Sequence, residues 1–370
     1  MLLFARTDQS LFGRWWWTVD RWLIAALGLL LVFGAFLIAT AGPAIADQYS
    51  YSANYFIIHH LVLLVPAVGS MFAISLLSPR YIRLLAMVGF ACSVFALALI
   101  PFIGAEVKGG QRWFRIFGFS LQPSEFVKPC FIILTAWLFA HPAIRGRFVM
   151  KSVPLLLLMM VIGLLLLQPD VGMSIVVTLV WLGQLFLAGL PIWLVIVLAL
   201  GGLGLMVGVY FTLPHFASRI DRFLNPASGD TYQIDRATEA FANGGLFGTG
   251  PGQGVVKESL PDAHSDFIFA VAGEELGLIW CLVLVSIVTF IVLRGLYRSS
   301  QSETLFVTLA SSGLLLQFGL QSLINMASAL HIIPTKGMTL PFVSYGGSSL
   351  LAMGLTMGML LALTRRRPGA

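Results

Sequence analysis

Ten apolar runs recur along the chain with short polar connections between them, and each is close to the roughly 20 residues that a helix needs to cross a bilayer. They lie at Trp22–Ala41, Tyr55–Leu77, Tyr81–Ile103, Glu125–Ala140, Val153–Gln168, Val171–Leu190, Pro191–Leu213, Phe267–Leu296, Thr304–Leu330 and Ser344–Leu363. In lipid every backbone polar group must be satisfied inside the chain, so such runs are helices. Only 10% of the residues are charged, against about 25% in a soluble domain. The expected fold class is all-α: a polytopic membrane helix bundle of about ten transmembrane helices, with residues 1–370 forming one domain. A membrane also accounts for the net charge of +6 without nucleic acid as a partner. Cys92, Cys130 and Cys281 all fall in apolar runs and read as small hydrophobes, not as a disulfide or metal set. No small-residue cleavage site follows the first apolar run, which therefore reads as a retained span.

Basic residues fix the orientation. With the N-terminus in the cytoplasm, the inner connections hold Arg80 and Arg83, then Arg145, Arg147 and Lys151, then Arg294 and Arg298, then Arg365, Arg366 and Arg367. Both termini are then cytoplasmic. Two outer segments depart from the rule. Gly104–Lys128 carries Lys108, Arg112, Arg115 and Lys128, and the large outer loop between spans seven and eight, residues 214–266, carries Arg219, Arg222, Arg236 and Lys257. The same segments hold most of the acidic residues and a run of glycines from Gly244 to Gly254. Polar chemistry is thus concentrated on the outer side, where a long Gly-rich loop points to function.

Four constellations stand out. In Gln122-Pro123-Ser124-Glu125-Phe126-Val127-Lys128, Pro123 marks a helix start, Ser124 is a candidate N-cap and Glu125 complements the helix dipole. Lys128 lies three residues beyond Glu125 on the same face, at a depth where an unpaired charge costs about 2.5–3.5 kcal/mol. It either pairs with Glu125 to pin the helix or serves substrate binding. In Leu260-Pro261-Asp262-Ala263-His264-Ser265-Asp266-Phe267, sequence neighbours point different ways, so His264, Ser265 and Asp266 do not make a hydrolytic triad. Asp266 stands where the loop ends and an apolar helix begins, a position suited to a general base or simply to an N-terminal carboxylate held by the helix dipole. Further on, helical rotation puts Glu274 about 80° from Asp266 and Glu275 nearly opposite. One of the two is expected to pair with a neighbouring helix. Lys336 is the basic residue of the last outer connection, ahead of small residues suited to close helix contact at Gly346, Gly347 and Ser349. Finally, Asp170 in Gln168-Pro169-Asp170 caps the next helix or lines the outer cavity; the sequence leaves both open.

Taken in order, Gly110–Trp113, Gln122–Lys128, Leu260–Phe269, Glu274–Gly277 and Pro341–Ser349 closely resemble the SEDS family (shape, elongation, division and sporulation proteins), and the resemblance covers nearly the whole chain. Ala263 and the Trp15-Trp16-Trp17 start are similar to the division branch of that family rather than the elongation branch; Ser265 replaces its more usual Thr. The resemblance implies a glycosyltransferase that polymerises peptidoglycan from lipid II on the outer face of a bacterial cytoplasmic membrane, at the division septum. It implies that Asp266 deprotonates the acceptor hydroxyl in an inverting β-1,4 transfer, and that substrate is bound by Arg112, Lys128 and Lys336, with Lys108, Trp113, Gln122, Glu125, Asp170, His264 and Tyr345 nearby. Diphosphate leaves as a stable anion and needs cations rather than a second carboxyl acid. The sequence contains no dedicated metal cage, and a divalent cation (Mg or Mn) on the diphosphate stays open. Implied partners are a class B penicillin-binding protein, FtsI, the regulators FtsQ, FtsB and FtsL, and membrane lipid. The rival readings are a lipid II flippase, which would line a polar route through both leaflets, and a scaffold for other division proteins.

Overall fold

The computed structural model describes residues 10–48, 50–107, 110–116, 119–141, 148–212, 214–225 and 231–366; Lys108, Arg145, Arg147 and Arg367 lie outside the described residues. A short helix α1 (Leu11–Thr18) precedes α2 (Arg21–Gln48), α3 (Tyr55–Ser75) and α4 (Pro79–Ile103). Three short strands follow, β1 (Ala105–Val107), β2 (Gly110–Ile116) and β3 (Phe119–Leu121), then α5 (Pro123–Ala140), α6 (Phe148–Leu166), α7 (Val171–Leu187) and α8 (Ile192–Thr212). The large loop contains α9 (Pro214–Leu224), α10 (Tyr232–Gly244) and a 3-10 turn at Val256–Glu258, followed by α11 (Ile268–Ser300), α12 (Leu305–Ala329) and α13 (Gly347–Leu363). Seven of these helices are long and apolar enough to cross a membrane, and α6, α7 and α13 are shorter apolar helices. Together they coincide with the ten expected spans, and the protein is a multi-pass membrane helix bundle.

Two features of the outer segments depart from the sequence expectation. The first outer connection is an antiparallel sheet in the order β1-β2-β3, so the bundle is not purely helical. Ala105 pairs with Trp113, and Phe114 pairs with Leu121. Gln111–Ile116 mixes polar and aromatic residues without strict alternation and is short, so it does not stand out beside the spans. Secondly, Ser124 does not cap α5. The helix starts at Pro123 with Gln122 at the N-cap, so Ser124 lies inside the first turn and is buried.

The two ends of the described chain meet at one face. Asp20, with 1% of its surface exposed, forms ion pairs with Arg294 at 2.9 Å and with Arg298. It also accepts the backbone N–H groups of Trp22 and Leu23. Arg365 donates to the Thr18 hydroxyl at 3.0 Å and to the Ser75 carbonyl at 3.2 Å, and the Arg366 N–H donates to the Thr18 carbonyl. Since α11 starts beside Asp266 and ends at the arginines that grip Asp20, Asp266 lies at the opposite face. The far end of α2 confirms this, because Thr40 and Gln48 reach Lys257 and Glu258 of the large loop.

Helix α13 seats on α3 through glycines. A Cβ on Gly354 would come within 2.4 Å of the Ala67 carbonyl oxygen, and one on Gly358 within 2.8 Å of that of Met71. Close backbone approach of this kind replaces the hydrophobic drive that lipid removes. At the rim, α8 buries none of its residues and packs chiefly on α7 and α9.

Helix α11 is broken at Gly277, whose φ of 81° lies in the left-handed region. The break frees carbonyls and amides at membrane depth, where each costs several kcal/mol if left bare. The large loop fills the gap. Thr249 and Gly250 donate to the carbonyls of Glu274 and Glu275, while Leu278 and Ile279 donate to those of Gly245 and Leu246. The Glu274 carboxylate collects the N–H groups of Val255, Val256 and Lys257 at 2.8–3.0 Å and the Asn243 amide at 3.0 Å. Glu275 forms a buried ion pair with Lys257, which also donates to Thr40. Both glutamates are therefore structural, as anticipated, but they fasten the outer loop rather than a neighbouring helix.

Two outcomes follow for stability. Burial pushes the Asp20 carboxyl up, but hydrogen bonds from Arg298, Arg294 and Leu23 outweigh it and hold the group below its ordinary value of 3.8. Its stabilisation is then present above that value and lost as pH falls through the folded-state value. Asp20→Asn should cost on the order of 3 kcal/mol at neutral pH, and its deficit relative to wild type should shrink as the unfolding midpoint in detergent is followed into acid. Gly277→Ala puts a Cβ 2.4 Å from the Gly248 nitrogen and should cost about 2 kcal/mol or more, measured in the same assay.

Candidate active site

The start of α11 is set by a turn in which Ser265, Asp266 and Phe267 all donate their N–H to the Asp262 carbonyl. Asp262 carries a φ of 56°, which tightens the turn and brings Asp266 to the helix entrance. Three contacts from α12 and the connection that follows it hold it there. Ser344 Oγ donates to the Ser265 carbonyl, the Tyr345 N–H donates to the His264 carbonyl at 2.8 Å, and Asn325 Nδ2 donates both to the Asp266 carbonyl at 2.9 Å and to the Met338 carbonyl at 2.6 Å. The Asp266 side chain is half-buried and runs across Gly337, where a Cβ would lie 2.8 Å from Oδ2. The carboxylate is thus seated against the backbone next to Lys336.

A second group of residues comes from α5, α7, α12 and β2. Lys128 is buried and lies 2.8 Å from Glu125 Oε2, and its Nζ donates to Gln321 Oε1 at 2.9 Å. Gln321 in turn donates to the Thr339 carbonyl at 3.2 Å, which ties this pair to the connection that carries Lys336. Both sequence alternatives for Lys128 therefore remain geometrically compatible: it is paired with Glu125, and it faces the connection beside Asp266. Asp170 resolves its own alternatives by doing both things. It caps α7, accepting the Met173 N–H at 3.2 Å, and its carboxylate lies 3.6 Å from Lys336 Nζ and 4.0 Å from Arg112 Nη1. Arg112 is further held by the carbonyls of Gln168 at 2.8 Å and Pro169 at 2.7 Å.

The remaining expected residues sit elsewhere around this cleft. His264 and Tyr345 pack on Phe56 of α3 with ring centroids 4.5 and 5.1 Å away, and burial raises the Tyr345 hydroxyl to about 12, so it stays protonated. Gln122 is joined through its N–H to Ser348 Oγ at 2.9 Å. Trp113 is half-buried on β2, and strand alternation turns it to the face opposite Arg112. Sequence reasoning missed Asn325, Gln321 and Ser344, which position the site from α12 and from the connection after it. A buried Asn or Gln in an apolar span was the available signal.

Among the described residues no group of three His, Cys, Asp or Glu side chains is arranged to hold a metal ion. Glu125 is paired with Lys128 and Asp170 with Lys336 and Arg112, so the donor set does not fit a divalent cage. Arg112, Lys128 and Lys336 alternate with Glu125 and Asp170, and the half-buried Asp266 carboxylate lies on Gly337, the chain neighbour of Lys336.

Comparison with known proteins identifies the family. The model of the cell cycle protein family FtsW, RodA and SpoVE matches residues 20–368. A protein of Caulobacter vibrioides named probable peptidoglycan glycosyltransferase FtsW is 45% identical, covering 99% of this chain and 94% of its own. A protein of the same name from Coxiella burnetii is 37% identical over 94% of this chain and 96% of its own. Among solved structures, a chain of a peptidoglycan synthase complex that coordinates polymerization and crosslinking is similar with a TM-score of 0.77 and 27% identity, covering 94% of this chain and 97% of that one. Thermus thermophilus rod shape determining protein RodA gives a TM-score of 0.71 at 25% identity, with the same coverage. The match runs through every span and across the cleft: this chain belongs to the FtsW, RodA and SpoVE family.

Proposed function

We propose that the protein is a peptidoglycan glycosyltransferase of the FtsW type, which polymerises lipid II on the outer face of the bacterial cytoplasmic membrane at the division septum. The observation that carries this reading is the seating of the Asp266 carboxylate beside Lys336, at the face of the bundle opposite the chain ends. Asp266 takes the proton from the C4 hydroxyl of the acceptor N-acetylglucosamine. That oxygen forms a bond to the anomeric carbon of the donor, whose bond to the diphosphate oxygen breaks with its electron pair. The product is a β-1,4 linkage with inversion, and undecaprenyl diphosphate departs. Lys336, Arg112 and Lys128 supply the positive field that stabilises the departing diphosphate, which is where most of the barrier is lowered. Proton transfer to Asp266 accompanies bond formation, which makes the attacking hydroxyl acidic. A crosslinking partner of the class B penicillin-binding type, FtsI, with FtsQ, FtsB and FtsL as regulators, fits this role, since the relative of known structure belongs to a complex that joins polymerization to crosslinking.

The test uses purified protein with labelled lipid II. Wild type should form glycan polymer, and Asp266→Asn should lose about 10²–10⁴ of the rate while keeping its unfolding midpoint. Movement of lipid II between leaflets that survives Asp266→Asn, with no polymer from either protein, would establish transport instead. Normal division in cells carrying only Asp266→Ala would leave a scaffold.

A further inference from the structure

Asp170 stands between two cations and hydrogen-bonds to neither. Its carboxylate is 3.6 Å from Lys336 Nζ and 4.0 Å from Arg112 Nη1, and only 6% of its side chain is exposed. One oxygen is fixed by the Met173 N–H at 3.2 Å, so the carboxylate cannot swing away from the end of α7. Arg112 is likewise committed, through Nε and Nη2, to the carbonyls of Gln168 and Pro169. Lys336 differs. Its Nζ is buried, yet it makes no hydrogen bond within the described residues. Its stem lies over Gly172, where a Cβ would sit 1.9 Å from both Cδ and Cε and 2.2 Å from Nζ. A Cβ at this position would push the Lys336 stem onto another path.

We infer that Asp170 and Gly172 are positioning residues for Lys336: the carboxylate keeps its ammonium charged, the bare backbone lets it lie in the cleft, and its three N–H donors are left for anionic oxygens of the substrate. The inference rests on the proposed function and deepens it, because it assigns Asp170 to the cation rather than to the sugar. Electrostatics agrees with the geometry. Burial lowers Lys336 to about 8. Asp170 is the largest influence opposing this and Glu125 a smaller one, whereas Lys128 and Arg112 act in the same direction as burial. Asp170 is itself pushed up by burial, but Lys336, Arg112, the Met173 amide and Lys128 hold it below its ordinary value, so it stays ionised wherever Lys336 titrates. Removing the Asp170 charge removes the chief support of the ammonium and moves its deprotonation toward neutral pH.

Two variants of the full-length purified protein test this. Competitive acetylation of Lys336, quantified by mass spectrometry from about pH 6 to about pH 10, reads its charge without any substrate. Wild type should show half-maximal reactivity near pH 8. Asp170→Asn should be severalfold more reactive at neutral pH, and the alkaline limb of its polymerisation rate should move to lower pH. Asp170→Glu should restore part of both. Gly172→Ala leaves every charge in place, and should raise KM for lipid II severalfold with a smaller change in kcat. An Asp170→Asn protein that folds, labels as wild type does and keeps its pH–rate profile overturns the inference; if that variant does not fold, an unchanged KM in Gly172→Ala overturns it. Absence of polymer from wild type would defeat the proposed function instead, and the labelling experiment still decides the charge on Lys336.

Discussion

A polar group placed inside a lipid-embedded bundle has no water to fall back on, and the structure is organised around meeting that demand within one chain. The break in α11 is where the demand is greatest. A helix interrupted at Gly277 exposes its own carbonyls and amides, and the segment from Gly245 to Lys257 supplies the complement to them. The large outer loop is consequently part of the core of the outer half rather than a cover over it. Removing that complementarity would leave α11 unable to hold its outer segment, and with it Asp266, at a fixed height.

The same rule shapes the cleft. A lone lysine at such depth is costly, so Lys128 is met by Glu125 and Gln321. Arg112 is met by two carbonyls of the hairpin between α6 and α7. What remains is an arrangement in which Arg112, Lys128 and Lys336 face Glu125 and Asp170, with the half-buried Asp266 carboxylate at its edge and the Lys336 ammonium without a hydrogen bond among the described residues. The aromatic contacts among Phe56, His264 and Tyr345 form the wall of the turn that carries Asp266, so they stiffen the site without adding charge to it.

What the sequence conveyed and what it concealed divide along the range of the interactions. Apolar runs of membrane length are a local signal, and all ten coincide with helices. The Glu125–Lys128 pair is three residues apart on one helix and could be read from spacing alone. Asp170 declared itself as a cap because it precedes an apolar run. By contrast, Lys257 of the loop and Glu275 of α11 are partners 18 residues apart, and neither residue carries a mark of the other. Asn325 and Gln321 lie in an apolar span where the period of hydrophobicity hides two amides, and their targets are backbone atoms with no sequence identity at all. The small sheet before α5 was missed for a related reason, since a strand of seven residues gives far less pattern than a span.

The meeting of Thr18 and Asp20 with Arg294, Arg298 and Arg365 has a practical consequence for anyone building on this molecule. Labels carried on the exposed Phe12 of α1 and on Arg366 would lie side by side on one face of the bundle, within energy-transfer range in every copy. A signal between them would then measure the integrity of the inner closure and say nothing of whether two copies had come together.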